Sequence, residues 1–343
     1  MKRLIALFTA AAILLCSAGC ADFKTGKNEV FTISMVTDAG GVDDQSFNQS
    51  AWEGLQEFSK QTGANVSYIE STQTSDFVTN MDKLADRNCD LIWGIGFAMA
   101  DALERAAKMN VDINYAIADN SYGDETLPNV TGVVFRSQEA AFLVGYIAGK
   151  TTKTNNVAFI GGIRGDIISQ FEYGYTAGVK YAAKELNKDI KINSQYVESF
   201  SDEAKGKATA SKMYLNGCDI IFSAAGGCGN GVIEAAKEAD KFAIGVDRDQ
   251  SYLAPKNVLT SALKKVGKAC AIVSNEKMNG NDIGGRTEVF GLKEGCVGLP
   301  EENPNVDSKV LEDTKAIEAK IAADEIVPPG NKEAYEAFIG NLG

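Results

Sequence analysis

The chain of 343 residues contains no histidine. That absence removes imidazole acid–base catalysis, Ser-His-Asp and Cys-His nucleophilic sites, and mixed Cys/His metal centres. Positive charge is also short: 34 Lys and Arg stand against 46 Asp and Glu, a formal net charge of −12. A nucleic-acid groove needs a basic surface, which this balance argues against. Neither HExxH nor the phosphate-binding pattern GxxxxGK[ST] occurs. The glycine-rich GGVDDQ, GIRGD and GGCGNG do not fit GxGxxG with its ribose-binding acid, and GGCGNG lacks a following Lys-Ser/Thr. Beyond Cys20 five cysteines remain, Cys89, Cys218, Cys228, Cys270 and Cys296, with no CxxC pair. An odd number without that spacing indicates neither a disulfide framework nor a zinc site. Cys89 and Cys218 precede strand-like runs and read as small buried hydrophobes. Free thiols in an exported chain point to a reducing or anaerobic setting.

What is present begins with an export signal. Lys2 and Arg3 precede LIALFTAAAILL, an apolar run too short to span a bilayer comfortably. It ends in CSAGC, which resembles the lipobox of bacterial lipoproteins, with Cys20 as the lipidated residue and Ser17 where leucine is usual. Ordinary signal cleavage near Ala21 is the alternative. Residues 1–19 are thus expected to be a signal peptide and residues 20–30 a lipid-anchored tether, placing the protein on the outer side of a cell membrane. The remaining composition, 45% hydrophobic and 23% charged overall, is that of a folded soluble protein long enough for two domains.

After residue 30 short apolar runs alternate with amphipathic stretches. VFTISMV, ANVSYIE, CDLIWGI, VDINYAIAD and NVTGVVF read as strands, with helices at 48–61, 75–87 and 99–109 between them. SQEAAFLVGYIAGKTT reads as a helix, and the alternation restarts at NNVAFIGGI, with helices at 173–187, 203–216 and 230–239. Such alternation predicts an α/β fold with parallel, doubly wound sheets. The two halves also match each other. Asn88-Cys-Asp-Leu-Ile recurs as Gly217-Cys-Asp-Ile-Ile, GIGFAMADALERAAK parallels AAGGCGNGVIEAAKE, and NYAIAD parallels FAIGVD. Three matches in the same order indicate two copies of one α/β lobe facing each other across a cleft.

Ligands of open parallel sheets bind beyond the carboxyl ends of the strands. Asp38, Phe47, Asp119, Gly226 and Asp247 all fall at that edge. Each alone has an ordinary structural role: Phe47 as a staple, Asp44 or Ser46 as a helix cap, the aspartates as turn formers, Lys264 as a solvated lysine. Aspartates at equivalent strand ends of both lobes are harder to dismiss. Carboxylates facing a cleft accept hydrogen bonds from hydroxyls and ring N–H groups, which suits sugars, nucleosides and amines and repels phosphates. Phe47 offers a ring for stacking; Phe200 is the candidate for a second ring, with Phe171 as the fallback. Gly226 permits close backbone approach, and Lys264 could bridge a ligand hydroxyl and a carboxylate.

DAGGVDDQSFNQSAWEGL, FIGGI…FEYGYTAGV, SFSDEAKGKA, AAGGCGNGVIEAAKE, GVDRDQ, LTSALKKV and the later FGLKEGCVGL occur in this order. The set resembles the basic membrane protein family of bacterial lipoproteins, the purine-nucleoside receptor type, over nearly the whole mature chain. The resemblance implies a type I periplasmic binding protein: two Rossmann-like lobes joined by a three-strand hinge, with a nucleoside between them. The lobes would comprise 31–136 with about 264–289, and 137–263 with about 290–343. It further implies a monomeric receptor without cofactor or catalysis that serves an ABC permease, with guanosine, inosine or adenosine as ligand. Carried over by motif, Asp38 and Asp119 would meet the base, Phe47 and Phe200 would stack on it, and Gly226, Asp247 and Lys264 would gather the ribose. Asn48, beside Phe47, completes the expected ligand-binding set. The chain departs from the pattern at Ala39, where many members carry Asn or Ser, and at Cys228, where threonine is common. The short connection from Asp247 to Lys264 is expected to open one side of the pocket. Two other readings remain: a receptor for a sugar or sugar-like signal, and a nucleoside hydrolase built on clustered aspartates and calcium.

Overall fold

The computed structural model describes residues 30–342; the expected signal peptide, Cys20 and most of the tether lie outside the described residues. The first half runs β1 (Thr32–Thr37), α1 (Phe47–Thr62), β2 (Asn65–Ile69), α2 (Asp76–Ala85), β3 (Leu91–Ile95), α3 (Ala100–Met109), β4 (Asn114–Ala118) and β5 (Val130–Phe135). The second runs α4 (Ser137–Thr151), β6 (Asn156–Gly161), α5 (Asp166–Leu186), β7 (Lys191–Tyr196), α6 (Glu203–Leu215), β8 (Ile220–Ala224), α7 (Cys228–Ala239), β9 (Phe242–Asp247) and β10 (Val258–Lys264). Then follow α8 (Val266–Met278), β11 (Arg286–Phe290), β12 (Val297–Gly298), α9 (Ser308–Ala322) and α10 (Lys332–Leu342). Helix α5 begins seven residues before the expected 173. Its first turns carry the β-branched pair Ile167-Ile168, which weakens the local helical signal, but Ile168 and Phe171 are buried and tertiary packing decides.

Two six-stranded sheets form, in the orders β11-β5-β4-β3-β1-β2 and β12-β10-β9-β8-β6-β7. The orders are the same up to relabelling, as the internal sequence repeat requires. All pairings are parallel except the two-residue edge strand β12, which runs antiparallel to β10. The central strands β3 and β8 are buried at every residue, the signature of a sheet covered on both faces.

The chain passes between the sheets three times: after β5, after β10, and between β11 and β12. These crossings lie side by side. The Arg136 N–H donates to the Phe290 carbonyl (2.8 Å) and the Lys265 N–H to the Cys296 carbonyl (2.7 Å). The Arg136 guanidinium pairs with Glu139 (2.8 Å) and Glu294 (2.7 Å). The result is the three-strand hinge of a type I periplasmic binding fold.

Helices α4 and α5 meet through two facing small-residue stripes, Gly145 with Gly149 and Gly174 with Gly178. A Cβ at Gly178 would lie 2.1 Å from the Phe142 carbonyl oxygen, and one at Gly145 would lie 2.2 Å from that of Tyr175. The obstacle in each case is backbone, which cannot swing aside. Gly178→Ala therefore forces the helices apart, and its helix-propensity gain of about 1 kcal/mol does not offset the lost packing. The expected outcome is a net loss of about 1–3 kcal/mol in urea denaturation, with an unchanged m-value.

Candidate functional site

The carboxyl ends of the two sheets face one cavity of about 310 Å³. Asp38, Phe47, Asn48, Asp119, Phe200, Gly226, Asp247 and Lys264, the whole expected ligand-binding set, line it together with the fallback ring Phe171.

The wall from the first sheet is organised by Asp44. Its carboxylate accepts the backbone N–H groups of Ser46 (2.8 Å), Asn48 (2.9 Å) and Gln49 (3.1 Å), so Asp44 rather than Ser46 caps α1. Asp38 closes its own turn by accepting the Gly40 N–H (2.9 Å). The Asn48 amide, 1% exposed, donates to both Asp38 (2.7 Å) and Asp44 (3.0 Å), locking one carboxylate against the other. Burial pushes the carboxyls of Asp38 and Asp44 above the usual range, against the opposing pull of these hydrogen bonds. Ser46, released from capping, donates its hydroxyl across the cleft to Asp247 (2.5 Å).

Asp119 directly follows β4 and Asp247 ends β9, equivalent positions in the two lobes. Both adopt left-handed backbone, with φ of 65° and 66°, a region aspartate tolerates better than most residues. The repeated geometry turns both side chains off the strand axis toward the interlobe space. Lys264 is only 2% exposed and is no solvated surface lysine. Its ammonium pairs with Asp119 at 2.5 Å and lies over the rings of Phe47 (4.5 Å), Phe135 (5.4 Å) and Phe171 (5.6 Å). Asp247 has no direct partner of that kind. Burial raises its carboxyl to about 6, against the lowering effects of Lys264 and the Ser46 hydroxyl.

Phe47 and Phe200 are half-buried rings from opposite lobes, whereas Phe171 is almost wholly buried and packs on Phe222. Gly162 is what seats Phe200: a Cβ there would sit 2.2 Å from the ring. Ala39 is exposed at the rim. Cys228 is fully buried, does not line the cavity, and donates its thiol to the Ser199 carbonyl (3.2 Å), tying α7 to the loop that carries Phe200. Among the described residues all five cysteines are buried and free.

Two points differ from the sequence reading. The connection after Asp247 does not open the pocket: Gln250 donates to the Gln45 carbonyl (3.0 Å) and the Tyr252 hydroxyl to the Gln45 side chain, closing that side. Phe97, missed in the sequence, also lines the cavity and meets Phe200 edge-on, with ring centroids 6.3 Å apart. It follows the carboxyl end of β3, so the rule that selected the other residues was sufficient to find it.

The comparisons agree with this architecture. The sequence model of the Bmp family, described as ABC transporter substrate-binding protein PnrA-like, matches residues 31–332. Basic membrane protein A1 of Borrelia garinii subsp. bavariensis is 41% identical over 343 residues, covering 99% of each chain. Basic membrane protein D of Borreliella burgdorferi is 41% identical over 334 residues, covering 95% of this chain and 96% of that one. The crystal structure of an ABC transporter solute-binding protein from Aeropyrum pernix K1 superposes with a TM-score of 0.81 at 25% identity, covering 91% of this chain and 97% of that one. Two lobes of repeated topology, a three-strand hinge and a buried interlobe cavity thus coincide with a match along almost the full chain, and the protein belongs to the Bmp family of ABC transporter substrate-binding proteins.

Proposed function

We propose that the ligand is a nucleoside, a purine nucleoside in the first instance, and that the protein hands it to an ABC permease from a lipid anchor at Cys20. The observation that carries this reading is the pairing of two half-buried rings, Phe47 and Phe200, with buried carboxylates and one lysine in a single cavity. A flat base suits the rings, and its N–H groups suit Asp38 and Asp119. Ribose hydroxyls both donate and accept, so they suit Asp247 beside Lys264 and the close backbone approach at Gly226. A phosphate would meet five carboxylates, those of Asp38, Asp44, Asp119, Glu198 and Asp247, against the one ammonium of Lys264 among the lining residues, which disfavours nucleotides. Contacts from both lobes favour the closed form on binding, and the receptor acts as a monomer.

The test is calorimetry on the purified protein, stripped of carried-over ligand by unfolding and refolding. Guanosine, inosine, adenosine and cytidine are titrated, with ribose and free adenine as controls. Intact purine nucleosides are expected to bind at micromolar Kd or tighter, about −8 kcal/mol or better. Phe47→Ala removes one stacking face, worth about 1–3 kcal/mol, and is expected to weaken binding roughly 10- to 100-fold. Ribose binding as well as the nucleosides would sink the nucleoside reading, and release of free base would move the protein to the hydrolases.

A further inference from the structure

One side of the cleft is bridged by bonds that run directly from lobe to lobe. Five residues of the second lobe reach across to the segment between β1 and the middle of α1. Asn230 donates to the Asp44 carbonyl (3.4 Å), the Asp247 carboxylate accepts from Ser46 (2.5 Å), and Gln250 donates to the Gln45 carbonyl (3.0 Å). The Tyr252 hydroxyl bonds the Gln45 side chain, and Arg248 bonds both carboxylate oxygens of Glu53, at 3.1 and 3.0 Å.

The donor side is preorganised. Gln250 is fully buried, its amide oxygen accepts the Val246 N–H (2.9 Å), and its own N–H donates to Ser261 (3.2 Å). That fixes the amide so that its NH₂ points at the Gln45 carbonyl. The acceptor side is strained to match. Gln45 sits at φ 59°, and it presents both its carbonyl and its side chain to the other lobe. A non-glycine residue in left-handed backbone persists where its surroundings hold it there. Elsewhere around the cavity the lobes meet differently: Phe97 touches Phe200 only edge-on, and the rim residues Thr74, Ala98 and Ile163 are exposed.

We propose that Gln45 and Glu53, with Arg248, Gln250 and Tyr252, form a latch that holds this side of the cleft closed before ligand arrives, so that the opposite rim is the route in and out. These are positioning residues: none of the five lines the cavity, and Asp247, the proposed ribose contact, stands outside the latch. Its effect on binding follows from populations. Apparent affinity is the intrinsic affinity of the closed form multiplied by the fraction of empty protein already competent to bind. A latch made of several hydrogen bonds, each of modest net strength, raises that fraction without a new ligand contact.

The test is small-angle X-ray scattering on ligand-stripped protein, with ligand dissociation followed by stopped flow. Wild type is expected to be nearly as compact empty as loaded, whereas an Arg248→Ala/Tyr252→Phe double variant should expand when empty and contract on loading. Loss of two contacts is expected to weaken nucleoside binding about tenfold. Reversing the ion pair, Glu53→Arg with Arg248→Glu, should restore the compact empty form that either single change loses; a purely local structural role predicts no such rescue. If wild type and the double variant are equally expanded when empty, the latch is wrong. The scattering comparison of empty wild type with the empty variants needs no nucleoside, so it stands or falls apart from the ligand assignment; circular dichroism confirms that each variant is folded.

Discussion

Lys264→Met is expected to cost about 3–5 kcal/mol of folding stability, the effect of breaking a buried pair from one side. Methionine keeps the contacts with Phe47, Phe135 and Phe171 but leaves Asp119, 6% exposed, without its 2.5 Å partner. The second Asp119 oxygen already has no hydrogen-bond partner, so nothing nearby can take over. The size of the loss therefore measures a stranded charge rather than the net worth of the pair. A double-mutant cycle separates the two. Asp119→Asn in the Lys264→Met background removes the charge and should return most of the lost stability, a coupling well above the few tenths of a kcal/mol seen for independent sites. Urea denaturation monitored by fluorescence reads both. A loss below about 1 kcal/mol would mean that water reaches the pair, as at an exposed ion pair. The single variant should also weaken nucleoside binding, because the ribose loses its only cationic neighbour in the proposed site.

Asp247→Asn is expected to move stability and affinity in opposite directions. With its carboxyl at about 6 in the folded protein against an ordinary 3.8, Asp247 keeps a proton that the unfolded chain has lost between about pH 4 and pH 6. The folded state binds more protons in that window, so the stability associated with this group falls as pH rises through it and is level above about pH 6. The full difference is on the order of 3 kcal/mol, and asparagine removes most of it. At pH 8 the variant should be more stable than wild type, and the stability loss between pH 4 and pH 6 should shrink. Ligand affinity goes the other way. Ribose hydroxyls that donate to Asp247 need the carboxylate, so wild-type affinity should drop about tenfold from pH 7.5 to pH 5, with proton release on binding in acid. Calorimetry in two buffers of different ionisation heat counts the protons. A flat profile in wild type would mean that Asp247 does not accept from the ligand, and Phe47→Ala would then be the better probe of the site.

The opposed effects have one origin. A site that must accept hydroxyls and N–H groups needs desolvated carboxylates, and a desolvated carboxylate destabilises the empty closed form. The latch residues and the Lys264–Asp119 pair offset part of that cost. Proteins commonly carry such strain where they bind, and the left-handed Gln45, Asp119, Glu198 and Asp247 all lie around this cleft.

Much of this protein was determined by sequence alone. The alternation of apolar runs and amphipathic stretches requires parallel sheets, and the repeated Asn88-Cys-Asp and Gly217-Cys-Asp segments require two lobes with the same strand order. Strand ends then mark the ligand edge, which is why all eight expected cavity residues meet in one place. Those signals are local: period, turn chemistry and position along a strand are fixed within a few residues. The roles of individual side chains are not local, and only the tertiary structure decided them. Lys264 has the sequence context of a surface lysine, and its burial follows from β10 ending against Asp119 and three rings drawn from both lobes. Ser46 looks like a cap, but Asp44 holds that role and frees Ser46 for Asp247, 201 positions away. Gln45 and Gln250 fall within DAGGVDDQSFNQSAWEGL and GVDRDQ, but nothing in those stretches marks them as partners across the cleft, and Tyr252 lies outside every quoted motif. Contacts between residues 200 positions apart depend on how two lobes close, and no short-range pattern in the chain encodes that.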